Sequence, residues 1–312
     1  MSDTNQPFVA LFSGQGAQSV GMGKDLYDAY PVAREMFDRA DEVLGFPLTE
    51  VMFGGPAEEL TKTSRCQPAL YVHGLACLAA LGQKVPELEM VAAAGLSLGE
   101  FTAHAAAGTF DFETGLRLVA RRGLFMEEAC EQNPGSMAAM IGGDEAAVAA
   151  LAEQVDVDVA NLNCPGQIVV SGKKEGIAAA IAGAKEAGLR MGKELDVAGA
   201  YHSRLMQSAQ EKLGAELAGA QIGEPSVPVV CNFEADAVSG ADTIRRTLES
   251  QVTGSVRWAE SMEKLLADGH ETFIELGPGG VLAGFMNRIR RGTKVVAAGD
   301  VASIGAAAEA LR

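Results

Sequence analysis

The sequence predicts an α/β protein with a helix-covered parallel sheet and a smaller unit inserted into the chain. Short apolar runs alternate with longer segments of helical periodicity, which is typical of parallel strands joined by helices. Most of the 37 glycines stand between those runs, as short connections between strands and helices require. At 312 residues the chain is longer than a usual domain, so we expect two domains or one domain with an insertion.

The first part of the chain supplies most of the parallel unit. A glycine-rich loop, GQGAQ, follows the first strand, and Asp111 is the expected N-cap of a long helix. The predicted strands are 8–13 and 89–95, and the predicted helical segments are 24–45, 66–82, 98–108 and 112–130.

A different pattern begins near Asn133. The order there is strand, helix, strand, strand, helix, strand, which is the ferredoxin-like arrangement. Its segments are 136–143, 144–154, 157–163, 167–172, 174–188 and 190–199. After it come a helix from Ser203, a strand over 227–233, a helix around Trp258, a strand over 272–277 and a helix over 279–291. We therefore predict a discontinuous core, 1–132 and 203–312, and an insertion, 133–202.

Composition excludes several classes of function. The net charge of −16 argues against nucleic acid or an anionic membrane as a partner. No segment approaches the roughly 20 apolar residues that span a bilayer. The N-terminal residues, MSDTNQPF, lack the features of a signal peptide, so we expect a cytoplasmic protein. The five scattered cysteines show no zinc spacing, and we expect reduced thiols and no metal.

One local patch is basic despite the acidic chain. It comprises Arg288, Arg290, Arg291 and Lys294 in NRIRRGTK. Any acidic protein partner would need such a patch to dock. The alternative is that these residues form an ordinary solvated helix face.

The segment GLSLGE, residues 95–100, carries the strongest chemical signal. It places Ser97 between glycines, after an apolar strand and before a helical pattern. This arrangement is typical of a nucleophile elbow, in which small residues let strand and helix approach and the serine hydroxyl is exposed. An acyl group on Ser97 would pass either to water, as in a hydrolase, or to another carrier, as in a transferase.

A serine nucleophile needs a base, and the chain offers four histidines. His104 lies on the same helix as Ser97, about 10 Å further along its axis. His73 lies in an apolar helix, where a packed histidine is expected. His270 precedes a strand and would lie at the opposite sheet edge. His202, at a strand end in GAYHSRLM, is the favoured base, although a structural histidine is the alternative.

Two further features complete an acyl-transfer site. The backbone N–H of Leu98, directly after the nucleophile, is the expected first oxyanion donor, and the amide of Gln15 in GQGAQ is the candidate for the second. Read alone, GQGAQ also fits a tight turn or a weak phosphate-loop mimic that lacks the final Lys and Ser/Thr.

The helix over 112–130 has apolar residues all round, so a buried arginine is expected on it. Either Arg121 or Arg122 could hold a substrate carboxylate, and periodicity does not choose between them. The structural alternative is pairing with Glu113, Glu127 or Glu128.

Taken together, these motifs resemble the malonyl-CoA:acyl carrier protein transacylase family, which is related to polyketide acyltransferase domains. The match covers essentially the whole chain. It runs through GQGAQ at 14–18, QPAL at 67–70, GLSLGE at 95–100, RRGLFMEEA at 121–129, NCPGQIVVSG at 163–172, YHSRLM at 201–206 and ELGPGGVL at 275–282.

The resemblance implies a role for each site residue. Ser97 would be the nucleophile and His202 its base, oriented by a carbonyl at Gln251. The arginine that precedes the glycine would grip the malonyl carboxylate, which selects Arg122. The amides of Gln15 and Leu98 would form the oxyanion hole.

The resemblance also implies an α/β-hydrolase-like core beside the ferredoxin-like insertion, and a monomer. Malonyl-CoA and acyl carrier protein would be the partners. No bound cofactor is expected, because the CoA thioester and the phosphopantetheine arm are substrates.

One residue departs from the family pattern. The family commonly has histidine before the serine, whereas this chain has Leu96, which we expect in the acyl pocket with an effect on acyl selectivity.

Two alternatives to a malonyl transferase remain at this point. The first is a serine thioesterase with His270 as base and Asp236 or Asp242 behind it. The second is a non-catalytic module that binds the carrier protein.

Overall fold

The computed structural model describes residues 5–312. Residues 1–4, which belong to the predicted core segment 1–132, lie outside the described range. Within this range the chain forms a six-stranded and a four-stranded sheet. The strands are β1 (Phe8–Phe12), β2 (Met90–Gly95), β3 (Ser136–Ile141), β4 (Asp158–Cys164), β5 (Gln167–Gly172), β6 (Met191–Glu194), β7 (Val229–Val230), β8 (Ala237–Val238), β9 (Thr272–Leu276) and β10 (Lys294–Ala298).

The helices surround these sheets, and a short 3₁₀ turn spans Arg204–Met206. They are α1 (Lys24–Ala29), α2 (Pro31–Leu44), α3 (Leu48–Gly54), α4 (Ala57–Thr61), α5 (Thr63–Lys84), α6 (Leu98–Ala106), α7 (Phe112–Gln132), α8 (Glu145–Gln154), α9 (Lys174–Gly183), α10 (Gln207–Gly219), α11 (Ala241–Ser250), α12 (Trp258–Ala267), α13 (Val281–Ile289) and α14 (Val301–Leu311).

The larger sheet has the strand order β10-β9-β1-β2-β7-β8. Every neighbouring pair is parallel except β7 and β8. Its central strand β1 is fully buried, because helices cover both faces of the sheet. Phe12 at the end of β1 pairs with Gly95 at the end of β2, so the loops that leave these two strands lie side by side. This register brings GQGAQ next to Ser97.

The smaller sheet is antiparallel, with the strand order β4-β5-β3-β6. Its elements follow the predicted order of strand, helix, strand, strand, helix, strand. Helices α8 and α9 cover one face, and the side chains packed between them and the strands form a separate apolar cluster. The sheet lies within the predicted insertion, whose boundaries at 133 and 202 stay a prediction.

Several elements differ from those that the sequence predicted. The helical segment 24–45 is broken at Tyr30, because Pro31 lacks an N–H and begins a new helix. The predicted strand 190–199 is regular only over Met191–Glu194, and the strand 227–233 only over Val229–Val230. Six elements of the structure were not predicted from the sequence: β8, β10, α3, α4, α11 and α14. No helix among residues 5–312 is both long and apolar enough to cross a membrane.

Two glycines permit the close approach of β2 and α6. A Cβ on Gly95 would lie 1.9 Å from the backbone of Gly99, and a Cβ on Gly99 would lie 2.3 Å from the carbonyl oxygen of Phe12. Backbone atoms on both sides leave neither Cβ any room. Glycine at both positions is therefore a packing requirement of the turn that holds Ser97.

We predict opposite effects of alanine at two glycines. Gly95→Ala should lower the free energy of unfolding by roughly 3 kcal/mol or more, because the clash is with backbone. Gly305→Ala is the matched control: Gly305 lies in α14 with open space around it. It should raise stability by roughly 0.5–1 kcal/mol through helix propensity. Urea unfolding of both variants measures this, and a Gly95→Ala protein of unchanged stability would contradict the packing account.

Candidate active site

Ser97 lies at the turn between β2 and α6. Its backbone has φ 55° and ψ −108°, an uncommon conformation for a residue with a side chain. Asn232 stabilises this turn, because its side chain accepts a hydrogen bond from the Ser97 N–H (2.6 Å) and donates one to the Gly95 carbonyl (2.8 Å). The strained turn presents the Ser97 hydroxyl at the carboxyl edge of the large sheet, as the sequence predicted.

The Ser97 hydroxyl is paired with His202. Ser97 Oγ lies 2.7 Å from His202 Nε2, and His202 Nδ1 lies 2.8 Å from the main-chain carbonyl oxygen of Gln251. Since a carbonyl only accepts, Nδ1 carries the proton and the Nε2 lone pair faces the serine. This tautomer is the one that can remove the serine proton. The structure therefore brings Ser97, His202 and Gln251 together, although 105 residues separate the serine from the histidine.

His202 is held as a neutral imidazole. It is 4% exposed, and its backbone has φ 55°. Burial, followed by the positive charge of Arg122, lowers the pKa of His202 to about 4, against a smaller opposing effect of the Gln251 carbonyl. The imidazole is therefore unprotonated at neutral pH.

Arg122 is the buried arginine of α7. It is 1% exposed, and its Nη2 donates to Ser97 Oγ (3.0 Å) and to Gln251 Oε1 (2.9 Å). Its Nη1 donates to Gln67 Oε1 (2.7 Å), and its Nε has no partner within residues 5–312. Burial lowers the pKa of Arg122 to about 10, so the group stays charged at neutral pH. The site thus holds a desolvated cation whose three partners are all uncharged.

The structural alternative for this arginine is wrong. Arg121 lies at the surface, 3.6 Å from Glu216, and only Arg122 reaches the serine. The three glutamates suggested as partners are engaged elsewhere: Glu113 with Arg39 and Arg117, Glu127 with the Ser64 N–H, and Glu128 with Lys212.

Glu100 is a buried carboxylate that the sequence analysis did not assign to the site. It is 0% exposed, and its Oε2 accepts from the Asn232 N–H (2.8 Å) and from Gln251 Nε2 (2.7 Å). Burial raises the pKa of Glu100 to about 7, against these two hydrogen bonds and the charge of Arg122. The sequence did contain a sign of this role, because Glu100 is a charged residue within the apolar start of α6. No comparable feature of the sequence marked Asn232.

Gln251 connects the base to the arginine. Beyond its carbonyl bond to His202, its side-chain Nε2 donates to the Ser97 carbonyl (2.9 Å), and its Oε1 accepts from Arg122. The side chain is 0% exposed. One residue at the end of α11 therefore fixes the elbow, the imidazole and the guanidinium together.

The two proposed oxyanion donors lie in the loops beside the serine. Neither the Gln15 N–H nor the Leu98 N–H donates a hydrogen bond within the described residues 5–312. Both residues line the same cavity as Ser97. Free N–H groups beside a nucleophile are what an oxyanion hole requires.

A cavity of about 270 Å³ opens at Ser97 between the two sheets. Arg122 and His202 line its inner end, and Leu96 contributes an apolar wall. Met137 and Val169, from the small sheet, line the opposite side. The cavity is therefore polar at the nucleophile and largely apolar elsewhere, and it suits a small acyl group with a charged end.

The other three histidines lie away from the serine. His73 and His104 are buried, and burial lowers their pKa values to about 4 and about 3. His104 Nδ1 is paired with the Thr109 hydroxyl at 3.0 Å. His270 precedes β9 and therefore lies at the sheet edge opposite Ser97.

The thioesterase arrangement with His270 as base is wrong, because His202 occupies that position. Its proposed acids are on surface ion pairs, Asp236 with Lys264 and Asp242 with Arg245. All five cysteines are buried and unpaired, and among residues 5–312 no group of three or more metal-binding side chains is arranged to hold an ion.

Known proteins resemble this chain over nearly its whole length. The model of the acyl transferase domain family matches residues 9–306. The malonyl CoA-acyl carrier protein transacylase of Bacillus subtilis strain 168 is 41% identical over 309 residues, covering 97% of this chain and 96% of that protein. The solved transacylase of that name from Coxiella burnetii superposes with a TM-score of 0.95 at 33% identity, covering 98% of both chains.

A malonyl-transacylase solved in complex with its type II PKS acyl-carrier protein is similarly close. It superposes with a TM-score of 0.94 at 36% identity, covering 98% of this chain and 100% of that chain.

The low pKa of His202 gives a testable pH dependence. Below this pKa the imidazole is protonated and cannot accept the serine proton, so Ser97 reactivity should fall as the pH drops through about 4. The rate of labelling by an uncharged fluorophosphonate measures this, with Ser97→Ala as the unlabelled control. A midpoint near the ordinary histidine value of about 6.5 would contradict it.

Proposed function

This chain belongs to the acyl transferase domain family, and we propose that it moves a malonyl group from malonyl-CoA to the phosphopantetheine thiol of an acyl carrier protein in fatty-acid biosynthesis. It is an acyltransferase enzyme. The observation that carries the choice of acyl group is Arg122, a desolvated cation 3.0 Å from the Ser97 hydroxyl with no carboxylate partner within residues 5–312.

The first half of the reaction forms an acyl-enzyme. His202 Nε2 takes the Ser97 proton as Oγ attacks the thioester carbonyl of malonyl-CoA. The amides of Gln15 and Leu98 receive the oxyanion, which forms as the carbonyl carbon becomes tetrahedral and is absent from the bound substrate. When the tetrahedral intermediate collapses, the C–S bond breaks and His202 gives its proton to the CoA thiolate.

The second half repeats these steps with a different thiol. The phosphopantetheine thiol loses its proton to His202, attacks the malonyl ester on Ser97 and leaves with the acyl group. The proton on His202 then returns to Ser97 Oγ. CoA leaves before the carrier protein reacts, so the kinetics are ping-pong.

Arg122 selects the acyl group in this scheme. The malonyl carboxylate lies two carbons from the ester carbonyl, within reach of a guanidinium that already contacts Ser97 Oγ. An acetyl group would leave the buried charge without an anion. Gln67 and Gln251 fix the plane of the guanidinium by accepting from both of its terminal nitrogens.

The carrier protein would approach the open side of the cavity. Arg288, Arg290, Arg291 and Lys294 are exposed and make no carboxylate ion pair within residues 5–312. Arg288 also joins α13 to the small sheet, because it donates to Gln167 Oε1 (2.7 Å) and to the Pro165 carbonyl (2.8 Å). We propose this patch as the docking site for an acidic carrier protein.

The finer description of the fold is also a proposal. The order β4-β5-β3-β6 with two helices on one face supports a ferredoxin-like insertion, and the parallel sheet with its elbow supports an α/β-hydrolase-like core. A monomeric state, a cytoplasmic location, the lack of nucleic-acid or membrane partners and a reaction without a bound cofactor stay predictions.

We expect arginine to alanine changes to separate the two neighbours on α7. Arg122→Ala should lower kcat/KM for malonyl transfer on the order of 10²–10³-fold, since charge-assisted hydrogen bonds in a desolvated site are lost. Arg121→Ala, the surface control, should stay within about twofold of the original protein. The assay follows labelled malonyl on Ser97, on added carrier protein and as free malonate.

The same assay separates the alternative functions. Rapid free malonate with no label on the carrier would identify a hydrolase. No label on Ser97 at all would favour a binding module. Loss of transfer in Arg121→Ala but not in Arg122→Ala would overturn the arginine assignment.

Leu96 should limit the size of the acyl group. It lines the cavity beside the serine, and we propose that its side chain is the wall against which the malonyl methylene packs. Leu96→Ala should raise kcat/KM for methylmalonyl relative to malonyl by roughly tenfold, the usual effect of a methyl-sized change in an apolar pocket. Competition between the two CoA esters measures the ratio, and an unchanged ratio would place Leu96 outside the acyl pocket.

A further inference from the structure

The backbone N–H of Gln15, the second proposed oxyanion donor, lies in the loop that follows β1. The neighbouring Gly16 has φ +103° and is exposed, and no atom lies within 4 Å of its Cβ position. Inside the loop, the Gly16 N–H donates to Gln18 Oε1 (2.7 Å), and the Ala17 N–H lies 3.4 Å from the Gly14 carbonyl oxygen. Both bonds lie within the loop, and neither involves the Gln15 side chain.

A buried threonine connects the Gln15 side chain to the body of the protein. Gln15 Nε2 donates to Thr63 Oγ1 (3.3 Å), and Thr63 is 1% exposed at the first position of α5. The same Thr63 hydroxyl lies 2.5 Å from Tyr201 Oη. Tyr201 directly precedes His202 and lines the cavity. The Thr63 hydroxyl therefore links two parts of the site. One is the loop that carries the Gln15 N–H, a proposed oxyanion donor, and the other is Tyr201, the residue beside His202.

The Tyr201 phenol stays protonated under working conditions. Burial raises the pKa of Tyr201 to about 12, against the hydrogen bonds with Thr63 and Gln15. Its hydroxyl can therefore donate to Thr63 Oγ1, which leaves the Thr63 oxygen surrounded by two donors. A valine at 63 would keep the shape and lose both bonds.

We propose that Thr63 is a positioning residue for acyl transfer. Its hydroxyl holds the Gln15 side chain and thereby keeps the backbone N–H of Gln15 at the oxyanion position, aligned with His202. This inference rests on the proposed function. Thr63 touches neither the acyl group nor the reacting atoms; it acts through Gln15. The oxyanion exists in the tetrahedral intermediate and its flanking transition states but not in the bound substrate, so a loosened donor lowers kcat and leaves ground-state binding unchanged.

Isosteric variants test the proposal. Thr63→Val should lower the rate constant of Ser97 acylation on the order of tenfold, less than full loss of an oxyanion donor, with KM within about twofold. Thr63→Ser, which restores a hydroxyl, should recover most of the rate. Thr102→Val is the matched control, because Thr102 is also 1% exposed and its Oγ1 has no partner within residues 5–312. Thermal unfolding of all three checks that the fold is intact.

A double-mutant cycle tests the route through Gln15. Gln15→Ala keeps the backbone amide but removes both the tether to Thr63 and the contact with Tyr201, so its loss should be at least as large as that of Thr63→Val, and the double variant should be no slower than Gln15→Ala alone. An arylboronic acid adduct of Ser97 places a tetrahedral oxygen in the oxyanion hole. Its affinity should fall in proportion to kcat in Thr63→Val, while the affinity of malonyl-CoA for the Ser97→Ala protein stays unchanged.

Three results would overturn the inference. The first is an unchanged acylation rate in Thr63→Val. The second is additive losses in the double variant. The third is a rise in KM at constant kcat. Failure of the proposed function is distinguishable: the original protein would then not load the carrier protein, whereas Ser97 acylation by a thioester, followed by release of CoA, would still report on Thr63.

Discussion

The hydrogen bond from His202 Nδ1 to the main-chain carbonyl of Gln251 is the interaction on which the rest of the site depends. It fixes the tautomer that leaves Nε2 free for Ser97, and it brings the Gln251 side chain within reach of Arg122 and Glu100. A carbonyl stabilises an imidazolium less than a carboxylate does, in keeping with the low pKa of His202. Transfer of an acyl group between two thiols does not require a strongly basic histidine. Thiolates are good leaving groups, because their conjugate acids have pKa values of about 8.5.

Charge placement is what separates this elbow from that of a general esterase. Arg122 is buried beside the nucleophile, and its direct partners are neutral oxygen atoms. The nearest buried carboxylate, Glu100, is linked to it through Gln251 and receives its own hydrogen bonds from there and from Asn232. The guanidinium is thus oriented without being neutralised, so it can still attract an anionic substrate.

The sequence identified the local parts of the site better than their connections. Ser97 could be recognised because its glycines and flanking apolar strand are contiguous, and His202 because few histidines competed with it. The choice of Arg122 over Arg121 came from a family resemblance, since both positions share an apolar helix. Asn232 was not found, because no spacing in the sequence encodes its contact with residues more than a hundred positions away. In the fold, β10 and α14 were missed at the C-terminal end, where the strand has only five residues and the helix is rich in alanine.

The central position of β1 has a consequence for how the protein is made. Its neighbours in the sheet are β2 and β9, and β9 begins at Thr272, 260 residues after β1 ends at Phe12 (272 − 12). β1 is entirely apolar, and one of its edges therefore stays unpaired until most of the polypeptide, including β9, has left the ribosome. Gln251 is also far from Ser97 along the chain. The nascent chain therefore carries the serine long before it carries the residue whose carbonyl orients His202. The last fifth of the chain, 62 of its 312 residues (312 − 250), therefore supplies both Gln251, which completes the site, and β9, which closes the sheet.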